Sequence, residues 1–280
     1  MADKDYAEAS YEIWQRMAAG WDRQRVWMWE VSRPVGEWMV RALELQPGDT
    51  VLELAAGTGE TGFAAAESIG PQGGLIQTDF APNMVAAARR EAKRLGLRNV
   101  EHRVLDAQRM ELPTDGVDAV LCRWGYMLMA DPAAALRETR RVLRPGGRLA
   151  VSVWGEPDRN RWASEPGRAL AEHFDAPPPD PLAPGIFALA DPERTRAFVE
   201  GAGFEVRRME EIELTYGFSD FDDYWRFVNQ LAGGLALALG ALSEDDRAAV
   251  RDLTAGKLAD LRAPDGSYSM PGVTQNTLAA

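Results

Sequence analysis

Between residues 47 and 155 short apolar runs alternate with stretches of helical periodicity. Gln46-Pro47-Gly48-Asp49 is a turn signal, and residues 50–54 read as a short strand. Gly57-Thr58-Gly59 turns the chain into a helix over about 61–68, and a second strand, 75–78, ends at Asp79. Over 82–95, Met84, Ala88 and Leu95 fall on one helical face, and a third strand, 100–105, ends at Asp106. The fourth strand covers 117–123. Asp131-Pro132 then gives an N-cap with proline at the first helical position. That helix carries Leu136, Thr139 and Leu143 on one face and Arg137, Arg141 and Arg144 on another. Pro145-Gly146-Gly147 stops it, and a fifth strand follows over 149–154. This alternation predicts an α/β fold, a doubly wound and mostly parallel sheet with helices on both faces.

The flanks are less regular. Residues 1–46 are tryptophan-rich and helix-compatible, a helical cap on the 47–155 core. Residues 156–280 complete the sheet of the same domain. Within them, 156–190 hold several prolines, Pro177-Pro178-Pro179 included, and no clear period, as in an insertion or lid. Asp191-Pro192 starts a helix that runs to Gly201-Ala202-Gly203. A strand over 204–214, a largely helical stretch over 221–261 and a last strand over 270–278 follow.

Composition narrows the chemistry. With 31 Lys+Arg against 43 Asp+Glu, the net charge of −12 argues against a protein that wraps nucleic acid. The lone Cys122 excludes an intrachain disulfide and a cysteine zinc site, and counts against paired-thiol chemistry such as arsenic methylation. His102 and His173 are the only histidines, so no metal is expected. The first ten residues lack the apolar core of a signal peptide, and the apolar run 231–242 is too short to span a bilayer. The expectation is a soluble, cytoplasmic chain. The 231–242 run is a candidate homodimer surface.

The densest chemical signal is the stretch from Val51 to Gly62, VLELAAGTGETG. Glycines allow a tight turn and close approach to a ligand, and the helix start behind them favours an anionic group. Gly57, Gly59 and Gly62 match the dinucleotide fingerprint G-x-G-x-x-G. A ligand-free βα turn gives the same pattern. A third reading takes Glu53-x-Ala55-x-Gly57-x-Gly59, an acid on the strand followed by small residues at alternate positions. In that form the stretch resembles the first motif of class I S-adenosylmethionine-dependent methyltransferases, with Ala55 in place of a family glycine. Asp79 at the second strand end suits the two hydroxyls of a ribose. Asp79-Phe80-Ala81-Pro82-Asn83-Met84 and Leu105-Asp106-Ala107 extend the resemblance, as does Arg140-Arg141-Val142-Leu143-Arg144-Pro145-Gly146-Gly147. It is closest to the ubiquinone and menaquinone C-methyltransferase branch.

The resemblance implies a seventh, antiparallel strand preceded by a helical lid. It implies S-adenosylmethionine as methyl donor and S-adenosylhomocysteine as product, held by Glu53, Ala55, Gly57, Gly59, Asp79, Phe80, Met84, Asp106, Ala107 and Arg123. Beyond the fourth strand, Trp124, Tyr126 and Met127 are candidates for an acceptor wall, and Trp21 and Trp29 for a cap over the donor. Tyr126 and His173 are the candidate catalytic bases. The predicted reaction is in-line methyl transfer to a small, largely apolar or aromatic acceptor. A nicotinamide-dependent oxidoreductase and a non-catalytic nucleoside-binding module are the alternatives.

Overall fold

The computed structural model describes residues 2–177 and 180–280; Met1 and two prolines of the expected insertion, Pro178 and Pro179, lie outside the described residues. Seven strands form one sheet: β1 (Thr50–Glu53), β2 (Gly74–Asp79), β3 (Val100–Val104), β4 (Val117–Arg123), β5 (Leu143–Trp154), β6 (Val206–Phe218) and β7 (Tyr268–Ala279). Their order is β3-β2-β1-β4-β5-β7-β6. β1 to β5 pair in parallel, and β7 runs antiparallel to both β5 and β6. Dinucleotide-binding sheets follow the order 3-2-1-4-5-6. The inserted antiparallel β7 departs from it, which counts against the nicotinamide alternative.

Helices α2 (Glu60–Ile69), α3 (Pro82–Leu95) and α4 (Pro132–Val142) make the crossovers. The chain steps outward from β1 to β3 and then returns to β4 beside β1. Right-handed connections therefore put α2 and α3 on one face and α4 on the other. The carboxyl ends of β1 and β4 flank the crevice where such sheets bind ligands. α4 ends at Val142, before the Pro-Gly-Gly turn expected to stop it. The chain is already extended at Leu143, which pairs with Val117 ahead of a register shift.

Helix α1 (Ala2–Leu43) is continuous through Pro34 and buries Met17, Met28, Val35, Trp38 and Met39. It packs on α2, α3 and strands β5 to β7. The 156–190 stretch is more ordered than its prolines suggested, since Arg161–His173 forms α5 with Pro166 inside it. Asn160 anchors this helix to β7: its Oδ1 accepts from Val273 N at 2.9 Å and its Nδ2 donates to Val273 O at 3.0 Å. α6 (Pro192–Gly201) packs with α4.

The helices α7 (Phe221–Leu231), α8 (Gly234–Gly240) and α9 (Glu244–Lys257) form the expected insertion before β7. The 231–242 run folds back on α1. Leu231, Ala236 and Leu239 are buried, and Gln24 Nε2 donates to Gln230 Oε1 at 3.0 Å. Its buried side thus packs within the chain. No helix among the described residues is long and apolar enough to cross a membrane.

Candidate functional site

At the end of β1 the chain enters the left-handed region at Ala55 (φ 49°), Gly57 (φ 58°) and Gly59 (φ 100°). A side chain on Gly57 would meet nothing within 4 Å, so the turn has open room on its outer side. Behind it, a Cβ on Gly59 would come within 2.6 Å of Phe63 and 2.7 Å of Gln77. Glu53 lies beneath this turn rather than facing the room. Its Oε1 accepts from Gly62 N at 3.0 Å and its Oε2 from Gln77 Nε2 at 2.7 Å. Gly62 is glycine for the same reason, because a Cβ there would sit 2.1 Å from the carboxylate. Burial pushes the Glu53 carboxyl up to about 8. Glu53 is thus a latch holding the turn from beneath.

Asp79 closes the turn from β2. Its Oδ2 accepts from Gly57 N at 3.0 Å and its Oδ1 from Ala81 N at 2.9 Å. Burial raises its carboxyl to about 6 against the pull of these N–H groups. Each oxygen retains a lone pair for a further donor. Met84 is buried with Ala18 and Ala81, and Trp14, Trp21 and Phe80 pack around them. Asp106 is exposed at the end of β3, its Oδ1 accepting from Gln108 N at 2.9 Å, and Ala107 beside it is buried. Helix α1 is laced across this edge. Tyr6 donates to Leu128 O at 3.0 Å, Gln15 Oε1 accepts from Asn83 N at 2.8 Å, and Arg25 pairs with Glu91 at 2.9 Å.

Near the start of α2 two charged side chains, Glu60 and Arg123, each keep one buried atom without a hydrogen-bond partner. Glu60 accepts from Thr58 Oγ1 through Oε2 at 2.7 Å, while its buried Oε1 has no partner. Arg123, at the end of β4, donates from Nε to Thr61 Oγ1 at 2.8 Å, and its buried Nη1 has no partner. Burial raises the Glu60 carboxyl and lowers the Arg123 guanidinium from their ordinary values.

Beyond β4 the lining becomes aromatic. Trp124 adopts a left-handed backbone (φ 62°), costing about 1–3 kcal/mol for a non-glycine residue, and stacks on Trp154 at 4.2 Å. The Arg123 guanidinium lies 4.3 Å from the Trp124 ring centroid. Trp154 contacts Trp162 at 4.9 Å, Trp162 contacts Tyr216 at 4.3 Å, and Trp27 of α1 meets Phe227 at 5.4 Å. Trp124 Nε1 and Tyr216 Oη are buried without hydrogen-bond partners.

Three expected acceptor or catalytic residues, Tyr126, His173 and Met127, make contacts of their own. The Tyr126 hydroxyl is buried against Thr139 Oγ1 at 2.6 Å; Thr139 donates to Ala135 O, so Tyr126 is the donor and is not a free base. His173 closes α5 on α9 through Asp246 Oδ1 at 2.8 Å. Met127 lines a separate cavity of about 230 Å³ with Leu182, Leu189 and Phe198. The Trp29 ring lies against Gly36 of the same helix, where a Cβ would come 2.7 Å from the ring and 3.5 Å from Thr61 at the start of α2. Sequence reasoning missed Glu60, Trp27, Trp154, Trp162 and Tyr216. Tyr216 had a signal, the alternating burial of Leu214, Tyr216 and Phe218. Among the described residues no group of three His, Cys, Asp or Glu side chains could hold a metal ion.

Residues 45–166 match a family described as "Methyltransferase domain". The nocamycin O-methyltransferase of Saccharothrix syringae is 32% identical over 260 residues, covering 87% of this chain and 90% of that protein. The aklanonic acid methyltransferase of Streptomyces sp. strain C5 is 33% identical over 152 residues, 54% of this chain and 68% of that protein. Among solved structures, a SAM dependent methyltransferase from Aquifex aeolicus shares the fold with a TM-score of 0.51 at 24% identity, covering 63% of this chain and 83% of that one.

Proposed function

We propose a site and an acceptor class for a chain that belongs to the class I S-adenosylmethionine-dependent methyltransferases. One observation carries the assignment of the site: Gly57, with open room outside it, is tied by its N–H to Asp79 beside the switch point of the sheet. The residues there fit the donor. Asp79 has lone pairs free for ribose hydroxyls, Phe80 and Met84 offer an apolar wall to adenine, and Asp106 with Ala107 borders it. The partnerless Glu60 Oε1 and Arg123 Nη1 complement the ammonium and carboxylate of a methionine end. When bound, the donor supplies a methyl group already activated on a sulfonium.

The protein's part is then to hold the acceptor in line and exclude water. Orientation of this kind can contribute about 7–11 kcal/mol. The packed aromatic cluster from Trp124 to Phe227, which begins just past the end of β4, supports a small, flat, largely apolar acceptor beside it. Tyr126 and His173 take no part in this reading, being occupied by Thr139 and Asp246. Incubation with methyl-tritiated donor and flat phenols, acids and amines tests it. Label transfer to at least one acceptor, with stoichiometric S-adenosylhomocysteine, is expected. Product-free donor binding across the panel would instead favour the non-catalytic nucleoside-binding module.

A further inference from the structure

Where the segment between α5 and α6 meets the start of α4, the chain forms a cavity of about 230 Å³. None of the residues assigned to the donor lines it. Long-range hydrogen bonds hold its walls. Gly185 N donates to Met127 O at 2.9 Å, Thr195 Oγ1 to Leu189 O at 2.8 Å, and Gln275 Nε2 to Ala190 O at 2.7 Å. Met127, Leu182, Leu189 and Phe198 give it apolar walls. Leu182 lines it yet is 59% exposed, so the cavity meets solvent on that side. An apolar cavity of about 150 Å³ holds one benzene, so this one has room for a single ring, or a branched chain of similar size, with a short substituent.

Among the described residues only Arg194 and Asp131 bring charge to this lining. Arg194, in the first turn of α6, has its guanidinium between Leu182 O, 3.4 Å from Nη2, and the Phe198 ring, whose centroid is 5.2 Å from Cζ. The bond to that neutral carbonyl is the only one the guanidinium makes among the described residues, and its buried Nε has no partner. Buried donors are nearly always paired, and an edge of a guanidinium matches the two oxygens of a carboxylate. Asp131 does not supply them. Its Oδ1 caps Ala134 N at 2.8 Å, and its Oδ2 lies 3.8 Å from Arg137.

We propose that this cavity binds a small apolar carboxylate, with its hydrocarbon body against Met127, Leu189 and Phe198 and its oxygens on the Nε edge of Arg194. The site stands apart from the donor assignment and does not rest on it. Such a carboxylate comes from one of two sources, the molecule that is methylated or a ligand that never is, and both present the same chemistry.

The test titrates the intact protein at neutral pH with phenylacetate and 4-methylpentanoate and follows the methionine methyl NMR signals. Met127→Leu and Met129→Leu assign the two signals at the cavity. Phenylacetamide and 4-methylpentanamide, alike in shape but neutral, are the controls. Saturable shifts of the Met127 or Met129 signal are expected, with at least one acid bound about fivefold or more tightly than its amide. Arg194→Gln should bring that preference below about twofold. Ala188→Leu, which puts extra carbons into the cavity, should weaken acid and amide alike by about fivefold or more, the remaining methionine signals reporting an intact fold. Repeating the titration with methyl-tritiated S-adenosylmethionine separates the sources: label recovered in the acid marks the methyl acceptor, and binding without label marks a separate ligand. No saturable shift at Met127 or Met129 up to about 10 mM, equal binding of acids and amides, or an undiminished preference in Arg194→Gln would overturn the proposal.

Discussion

The two sides of the crevice are built differently. At the ends of β1 and β2, the two buried carboxylates are already paired: Glu53 with Gly62 and Gln77, Asp79 with Gly57 and Ala81. Beyond β4 and β6, Trp124 Nε1 and Tyr216 Oη are left without partners, and Trp124 sits in a left-handed backbone. The turn of the first edge is held by its own hydrogen bonds, and Glu60 Oε1 and Arg123 Nη1 near the start of α2 are left without partners there. The second is a packed aromatic cluster held by ring contacts rather than hydrogen bonds. Under the proposed assignment, one fold can keep its donor edge and vary its acceptor edge, since function resides in the site.

Breaking the donor edge should give the largest effects. Folding raises the Glu53 carboxyl from 4.5 to about 8, so the unfolded chain loses that proton first as pH rises. The folded state is thus favoured below about 4.5, and this contribution is lost progressively up to about 8. At about 1.4 kcal/mol per unit it amounts to a few kcal/mol. Glu53→Gln should flatten the decline of stability across that window, as measured by urea unfolding at several pH values; an unchanged slope would remove the latch. Asp79→Ala removes two acceptors from the turn and should weaken S-adenosylhomocysteine binding by about 2–3 kcal/mol, read by calorimetry. An unchanged affinity would move the ribose elsewhere.

Two smaller changes sharpen the contrast. Tyr126→Phe loses only the hydrogen bond to Thr139, a cost of about 1 kcal/mol in stability, with methyl transfer expected at the parent rate. A strongly reduced rate without loss of fold would restore Tyr126 to the site. Ala55→Gly relieves a left-handed residue at φ 49°. The relief of about 1–2 kcal/mol is largely offset by glycine's greater unfolded-state freedom, leaving a gain of less than about 1 kcal/mol. A lowered melting temperature would contradict this.

Much of the donor edge was legible because it depends on local patterns. β4 and α3 begin and end where the apolar periodicity places them. Asp79 is the last residue of β2, and Asp106 lies two residues past the end of β3. The acceptor edge depends on long-range packing. Trp27 and Trp29 are two residues apart on a helix that packs against several elements, and only tertiary contacts show that Trp27 joins the aromatic cluster. β6 continues past Gly217 to Phe218, so a strand ended at 214 left out Tyr216. β7 was the least legible strand, because Thr274, Gln275, Asn276 and Thr277 are polar yet buried. Two of them find partners far away in sequence: Gln275 Nε2 donates to Ala190 O at 2.7 Å and Asn276 Nδ2 to Val35 O at 3.4 Å. α5 was hidden by Pro166 within the helix.

The central claim is that the Gly57–Asp79 edge is a preformed donor site, and calorimetric titration of the folded parent protein with S-adenosylhomocysteine tests it most directly. Saturable binding with one molecule per chain is the result predicted. A folded protein that releases no heat and shows no thermal stabilisation at millimolar S-adenosylhomocysteine would contradict it.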